Sequence, residues 1–296
     1  MRGRAFAIVN PVAGGGETGR RWPRLAALLA HASFPVESVC TSAPGEATQL
    51  ARRAVTDGHC LVVAVGGDGT VNEVVNGITG EDGTSLAALG VIPTGRGRDV
   101  CRNLAIPRDP DAAARVLSTG VDCAADLGVA RLGARARFFV SAVGVGFDAD
   151  VARRAQTRRG PGTIPYLLGV LGALAHHRPR PVHVSGDVTW AGAATAVVVA
   201  NGAFYGGGMK IAPDADAADG VLDLVILGAL GRAELLWRLP TVYRGTHVRH
   251  PKVVTARARA VTVAARDPLP VHVDGEPAGT TPVEVTVRPG ALRIRR

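Results

Sequence analysis

Aromatic side chains are scarce in this chain: Phe, Tyr and Trp make up 4% of its 296 residues. A platform for stacking unpaired bases needs more of them along a basic stripe. Recognition-helix motifs and zinc-finger spacings are missing too, so no nucleic-acid partner is expected despite a net charge of +9. Lysine is scarcer still, with only Lys210 and Lys252 among 34 basic residues. An Arg/Ala-rich composition explains part of the basicity, and the rest suits an anionic membrane surface or a polyphosphate substrate. The four cysteines (Cys40, Cys60, Cys101 and Cys123) form no C-x-x-C pair. They read as small buried apolar residues in a reducing compartment. The longest apolar stretch, Ile164 to Ala175, has about twelve residues, short of the roughly 20 that span a bilayer. No signal-peptide pattern precedes the first strand. A cytoplasmic protein with peripheral membrane contact is therefore expected, and 47% hydrophobic residues with 20% charged ones give it enough core for two domains.

One run organises what is present. Leu61-Val62-Val63-Ala64-Val65 leads straight into Gly66-Gly67-Asp68-Gly69-Thr70-Val71-Asn72-Glu73. A fully apolar run ended by glycine predicts a buried parallel strand. Beyond it, Val71, Val74, Val75 and Ile78 fall at i, i+3, i+4 and i+7, one face of a helix. Strand, glycine turn and helix N-terminus leave backbone N–H groups and a helix dipole facing outward, which favours an anion. Glycines let the main chain approach a phosphate closely. Asp68 is the odd member, because a carboxylate repels phosphate unless a cation or a hydroxyl proton stands between them. The run is neither a Walker A loop, lacking Gly-Lys-Ser/Thr, nor the dinucleotide G-x-G-x-x-G. A glycine turn of purely structural use is the plain alternative.

Taken in order, Ala5 to Val9 predicts a first strand ending in Asn10-Pro11-Val12-Ala13-Gly14-Gly15-Gly16, followed by a helix around Arg21 to Ala30. Val36 to Cys40 predicts a second strand ending in Thr41, and Ala47, Leu50, Ala51 and Ala54 form the apolar face of a second helix. Leu86 to Ile92 predicts a fourth strand, ending in Pro93-Thr94-Gly95-Arg96-Gly97-Arg98-Asp99. Asp109-Pro110 then opens a helix through Leu117. The fold class is α/β plus all-β: a doubly wound parallel sheet whose strand ends carry Gly, Thr or Asn loops, where open α/β sheets place ligands, and then a different texture. From Val121 the runs Val121 to Arg131, Arg137 to Val143, Val182 to Thr189, Ala194 to Asn201, Val221 to Leu227, Lys252 to Ala264, Leu269 to Val273 and Val283 to Val287 look like short antiparallel strands. They predict a β-sandwich with helical insertions near Ala149 to Ala155, Ile164 to Ala175 and Ala233 to Leu239. The expected domains are 1–128 for nucleotide and 129–296 for substrate, with the option that the last strand returns to the first domain.

The string Gly-Gly-Asp-Gly-Thr-x-Asn-Glu-Val at 66–74 resembles the phosphate loop of the diacylglycerol kinase catalytic family. That family includes bacterial lipid kinases and sphingosine and ceramide kinases, and is more distantly related to NAD kinases and phosphofructokinases. Asn10-Pro11 and the glycines after it resemble the family's first ATP loop. Thr41 ahead of Pro44-Gly45-x-Ala47 resembles the second, with Glu46 where histidine is frequent. The segment Pro93 to Asp99 resembles a Pro-x-Gly-Thr-Gly-Asn-Asp loop in which Arg96 replaces threonine and Arg98 asparagine. The resemblance implies that ATP is contacted by Asn10, Pro11, Val12, Ala13, Gly14, Thr41, Gly66, Gly67, Asp68, Gly69, Thr70, Val71, Asn72 and Thr94. It also implies that Asp68, Asp99 and Asp126 belong to a network around Mg²⁺.

In the second half, Gly144-x-Gly146-Phe147-Asp148-Ala149, Asn201-Gly202 with Gly206-Gly207-Gly208, and Ile211-Ala212-Pro213 to Asp219-Gly220-Val221-Leu222-Asp223 are similar to further family segments. The last implies a structural Mg²⁺ held by Asp219 and the carbonyls of Asp216 and Val221, against a plain Asp-Gly turn. Val271-His272-Val273-Asp274-Gly275-Glu276 resembles the site supplying the general base for an acceptor hydroxyl, with Asp274 and Glu276 both candidates. The function implied is an ATP- and Mg²⁺-dependent lipid kinase of phospholipid metabolism, phosphorylating diacylglycerol presented at a membrane surface. A homodimer is compatible with that reading. The apolar stretch from Ile164, with Arg153, Arg154, Arg158, Arg159 and Arg178 around it, would dock on an anionic bilayer. The alternatives are a soluble-substrate kinase of the NAD kinase type and a non-catalytic nucleotide- or lipid-binding homologue.

Overall fold

The computed structural model describes residues 5–32, 34, 36–156, 164–175 and 177–296. The chain divides into two compact units, one running to Leu127 and including Arg288–Arg296, the other Gly128–Val287.

The first unit is built from β1 (Ala5–Val9), α1 (Ala13–His31), β2 (Val36–Cys40), α2 (Glu46–Thr56), β3 (Leu61–Gly66), α3 (Asp68–Ile78), β4 (Ala88–Pro93), α4 (Asp99–Asn103) and α5 (Pro110–Thr119). Its strands run parallel in the order β2-β1-β3-β4. β3 lies between two neighbours, and all six of its residues are buried, which is why its sequence is apolar without alternation. β2, at the edge, mixes exposed and half-buried positions. Leu25 and Leu29 of α1 and Leu117 of α5 pack with Val63, Val65 and Ile92 of the sheet. The apolar face of α3 (Val71, Val74, Val75 and Ile78) is buried as its spacing predicts. Asp109 caps α5, its Oδ1 accepting the Ala112 N–H at 2.9 Å, with Pro110 at the first position. The fourth strand starts at Ala88 rather than Leu86, because the Leu86 amide bonds the Ile78 carbonyl and its side chain is exposed. Cys101 is buried, but Cys40 and Cys60 are exposed, correcting the expectation that all four thiols are interior.

Two strands pass from one unit to the other: β5 (Asp122–Leu132) and, after the rest of the chain, β17 (Val283–Arg295). The second unit continues with β6 (Arg135–Phe139), β7 (Ala142–Gly146), α6 (Phe147–Gln156), α7 (Ile164–Leu174), β8 (Arg180–Gly186), β9 (Trp190–Ala200), β10 (Phe204–Tyr205), β11 (Met209–Lys210), β12 (Leu222–Gly228), α8 (Arg232–Arg244), β13 (Val253–Ala258), β14 (Ala260–Ala265), β15 (Pro270–Val273) and β16 (Glu276–Thr280). Its strand pairs are antiparallel, from β5·β6 through β7·β9, β8·β9 and β9·β12 to β14·β17 and β7·β15. Val145, Val184, Val197, Leu224, Val271 and Val285 belong to one shared core. At the far end of β17, Ile294 pairs parallel with Leu89 of β4 in the first unit's sheet.

Further expected elements of the second unit differ from what forms. The run Arg137 to Val143 breaks into β6 and β7, because the amides of Val140, Ser141 and Ala142 turn to the Asp274 carboxylate. The run Lys252 to Ala264 breaks into β13 and β14 where the Arg259 and Ala260 amides bond Asp187 Oδ2. α8 runs past Leu239 and through Pro240 to a left-handed Gly245, carrying Leu235, Leu239 and Val242 along one face. Arg158 and Arg159 lie outside the described residues. Among the described residues, no helix is long and apolar enough to cross a membrane.

Candidate active site

In the first unit, the loops after β1, β3 and β4 interlock. The Asn10 amide N–H bonds the Val65 carbonyl at 2.9 Å, and its side-chain Nδ2 donates to Thr70 Oγ1 at 3.0 Å. Its Oδ1 is buried with no protein partner, an acceptor available to a ligand donor. Thr94 N–H and Gly95 N–H both bond the Gly66 carbonyl, at 3.0 and 2.9 Å. The hydroxyls of Thr18 and Thr94 meet at 2.6 Å beneath the loops. Gly14 is left-handed (φ +65°), and a Cβ there would lie 2.6 Å from the Thr94 carbonyl oxygen. A Cβ on Gly95 would overlap the Cα of Gly67. The glycines are thus required by loop-to-loop contact as well as by any ligand. Gly15 and Gly16 are left-handed too, so the regular part of α1 starts after them.

The other residues expected to contact ATP are placed unevenly. Val71 turns its side chain into the core, and Val12 is exposed. Thr41 is tied by its amide to the Val9 carbonyl at 2.8 Å, one position past β2. Glu46 accepts from the Ser42 amide and hydroxyl and from the Ala43 amide. Those hydrogen bonds, led by the Ser42 amide, hold its carboxyl below the ordinary range, so it caps its own loop. The two departures from the family pattern differ in use. Arg98, left-handed at φ 57°, ties the loop internally through the Gly95 and Arg108 carbonyls at 3.0 and 2.9 Å. Arg96 instead reaches the glycine loop after β1, its guanidinium 3.2 Å from where a Gly15 Cβ would stand.

Asp68 opens α3, and its Oδ1 accepts the Val100 N–H at 3.1 Å. Gly97 lies against Asp68 Oδ2 and near Asp99 Oδ2, so the two carboxylates flank one glycine. Asp99 is 4% exposed and pairs with Arg102 at 2.6 Å. Asp126 is buried and accepts the Gly290 N–H at 2.7 Å. Among the described residues, no three His, Cys, Asp or Glu side chains are placed to hold a metal by themselves. Two carboxylates do fit the way Mg²⁺ binds in kinases, through one or two carboxylates plus substrate phosphates. In the second unit, the Asp216 to Val221 loop is closed by internal bonds. Asp219 pairs with Arg257 and accepts the Val221 N–H at 3.2 Å, and Asp216 Oδ1 accepts the Ala218 N–H at 3.1 Å.

Asp274 and Gly275 form the two-residue turn between β15 and β16, both with positive φ (49° and 81°), the signature of a type I′ hairpin. The Asp274 carboxylate accepts three backbone N–H groups, from Val140 at 2.9 Å, Ser141 at 2.8 Å and Ala142 at 3.0 Å. These bonds hold the turn, and Glu276 opens β16 beside it. Sequence reading missed the neighbouring group of buried polar side chains, Asp148, Tyr205 and His272. Its signal is Gly144, which pairs with His272 across β7 and β15, and where a Cβ would overlap both Asp148 Oδ2 and His272 Nε2. The same unit contains an apolar cavity of about 80 Å³, lined among others by Phe147, Val170, Met209, Leu235, Leu239 and Val242, with Asp148 and Tyr205 in its wall.

The Diacylglycerol kinase catalytic domain family matches residues 4–130, and the YegS C-terminal NAD kinase beta sandwich-like domain family matches 141–296. A diacylglycerol kinase of Mycobacterium tuberculosis (strain ATCC 25618 / H37Rv) is 32% identical over 299 residues, covering 99% of this chain and 95% of that protein. One from Bacillus subtilis (strain 168) is 31% identical over 287 residues, covering 95% and 92%. A solved diacylglycerol kinase structure from Bacillus anthracis str. Sterne superposes with a TM-score of 0.76 at 21% identity, over 99% of this chain and 96% of that one, a likeness of fold. Interlocked glycine loops at parallel strand ends and the two family matches agree, and the chain is a kinase belonging to the diacylglycerol kinase catalytic-domain family.

Proposed function

We propose that this protein is an ATP-dependent lipid kinase that phosphorylates the hydroxyl of diacylglycerol or a similar lipid, giving phosphatidate. The observation that carries the lipid half is the apolar pocket of the second unit, walled by side chains of α7, α8 and the sheet. An almost wholly apolar lining matches acyl chains rather than a soluble nucleotide such as NAD. In the first unit, the backbone N–H groups at the start of α3, the Asn10 amide group and the Arg96 guanidinium would hold the triphosphate. Asp68 and Asp99 would hold Mg²⁺, which when bound supplies positive charge against the phosphate oxygens. Glu276 would take the proton of the attacking hydroxyl, with Asp274 fixing the turn that carries it.

Membrane association belongs to the same proposal. Leu168 and Leu171 on α7 and Leu236 and Trp237 on α8 are exposed, Trp237 by 83%. Exposed arginines accompany them, Arg153 and Arg178 near α7 and Arg232 and Arg238 on α8. Apolar side chains ringed by arginine suit an anionic lipid surface.

The test is a panel of diacylglycerol, ceramide, sphingosine and NAD with labelled ATP, run on the wild type, Glu276→Gln and Asp274→Asn. The expected result is transfer to diacylglycerol, with kcat reduced about 10²- to 10⁴-fold in Glu276→Gln at unchanged thermal stability. Asp274→Asn should lose stability as well as rate, because a carboxylate acceptor of three amides is weakened. Transfer to NAD alone would overturn the lipid assignment.

A further inference from the structure

Asp148, Tyr205 and His272 come from α6, β10 and β15 and are all buried, His272 completely. His272 Nε2 lies 2.6 Å from Asp148 Oδ2. The Tyr205 hydroxyl donates to the other oxygen, Asp148 Oδ1, and its ring stacks on the imidazole with centroids 5.7 Å apart. On the far side of the ring, His272 Nδ1 accepts the Gly275 N–H at 3.1 Å.

These contacts fix the state of the imidazole. An amide N–H can only donate, so Nδ1 must present its lone pair to Gly275. A carboxylate can only accept, so Nε2 must carry the proton toward Asp148. The ring is therefore the neutral Nε2–H tautomer, oriented at both ends. Gly275 is the second residue of the turn, and the residue after it is Glu276. The turn is thus gripped twice, at Asp274 by the amides of Val140 to Ala142 and at Gly275 by the imidazole. The opposite end of the chain of bonds, Asp148 and Tyr205, forms part of the wall of the apolar cavity.

We propose that His272, oriented by Asp148 and Tyr205, is a positioning residue that fixes the Asp274-Gly275 turn and with it the carboxylate of Glu276, linking the wall of the cavity to the general base. The assignment of Glu276 as base rests on the lipid-kinase reading above; the relay itself rests on the hydrogen bonds. Gly144 is the seat of the relay, since no side chain fits beneath the His272–Asp148 pair.

His272→Gln and His272→Asn separate positioning from packing. The asparagine oxygen reaches the place of Nδ1 and can accept from Gly275, whereas glutamine reaches toward Asp148 and removes the Nδ1 acceptor of the Gly275 amide. With diacylglycerol in mixed micelles and Mg·ATP, His272→Gln is expected to lower kcat about 10- to 100-fold, the scale of a catalytic group displaced by about 1 Å. KM for both substrates should stay within about twofold, and His272→Asn should recover most of the rate. A second measurement needs no turnover: imidazole ¹⁵N shifts should report the Nε2–H tautomer, and the Gly275 amide should exchange slowly in the wild type and in His272→Asn but quickly in His272→Gln. Equal kinetic losses in both variants that track thermal unfolding would overturn the proposal, as would a Gly275 amide that exchanges equally fast in all three proteins. If the wild type phosphorylates no lipid, the lipid-kinase reading fails, while tautomer and exchange still decide the relay.

Discussion

Burial tunes some single side chains of this protein and hydrogen bonds tune others. The Cys101 thiol is pushed up to about 12, first by burial and next by the nearby Asp68 charge, so almost none of it is thiolate at neutral pH. With iodoacetamide at pH 8, Cys40 and Cys60 should be alkylated in the native protein and Cys101 only after denaturation; mass spectrometry showing equal rates would contradict this. His247 is 5% exposed and its Nε2 bonds the Ile211 carbonyl at 3.0 Å. Burial lowers its pKa below the ordinary 6.5, outweighing the carbonyls of Ile211 and Thr241 that raise it. A depressed folded-state value means that stability is fully present above about 6.5 and is lost as pH falls through the lower folded value. His247→Gln should flatten the decline of Tm on acidification below pH 6.5, and a parallel pH profile for the two proteins would refute the assignment. Such residues are nearly invisible in the sequence, because nothing local to Thr246-His247-Val248 says that the ring will be enclosed.

At the scale of elements, the pattern of the sequence carries much further. β3 and the apolar face of α3 follow from an unbroken apolar run, two glycines and a 3.6-residue period, and the structure has both. The glycine loops are legible as turns, but their mutual contact is not. Gly95 and Gly67 are 28 residues apart in the chain, yet their backbones touch so closely that a methyl group on Gly95 would overlap Gly67 Cα. A backbone-to-backbone overlap has no rotamer escape, so Gly95→Ala should weaken Mg·ATP binding at least about tenfold by prising the loops apart. Isothermal calorimetry checks this, and unchanged affinity would show that the loops act independently. Breaks in strands are likewise set from far away. β6 ends at Phe139 because Asp274, 134 residues from Val140, takes the next amides; alternation alone reads through that point.

For the whole molecule, the two units do not follow chain order, since the first includes the last residues of the chain. β17 begins in the second unit and ends in the first, where Leu292 and Ile294 are completely buried and Arg293 N–H bonds Ser85 Oγ at 2.8 Å. Truncation after Val287 removes both side chains from that core. At about 2–5 kcal/mol each for loss of a large buried aliphatic, the change rivals the whole stability of a domain, about 5–15 kcal/mol. The truncated protein should lose the cooperative unfolding of the first unit and its response to Mg·ATP; calorimetry showing that transition intact would rule out a structural role for the return.

Local pattern alone determined the parallel sheet, its glycine loops, the antiparallel second half and the motifs that place the chain in the diacylglycerol kinase catalytic-domain family, because strand period, helix period and turn chemistry are properties of neighbouring residues. Tertiary structure decided which carboxylate of Asp-Gly-Glu holds the turn, that Arg98 braces its own loop while Arg96 reaches another, and that His272, Asp148 and Tyr205 meet behind Gly144. Apart from the local bonds of Arg98, those outcomes depend on hydrogen bonds or contacts between groups far apart in the chain, and such partners exist only once the backbone has folded to bring them within about 3 Å.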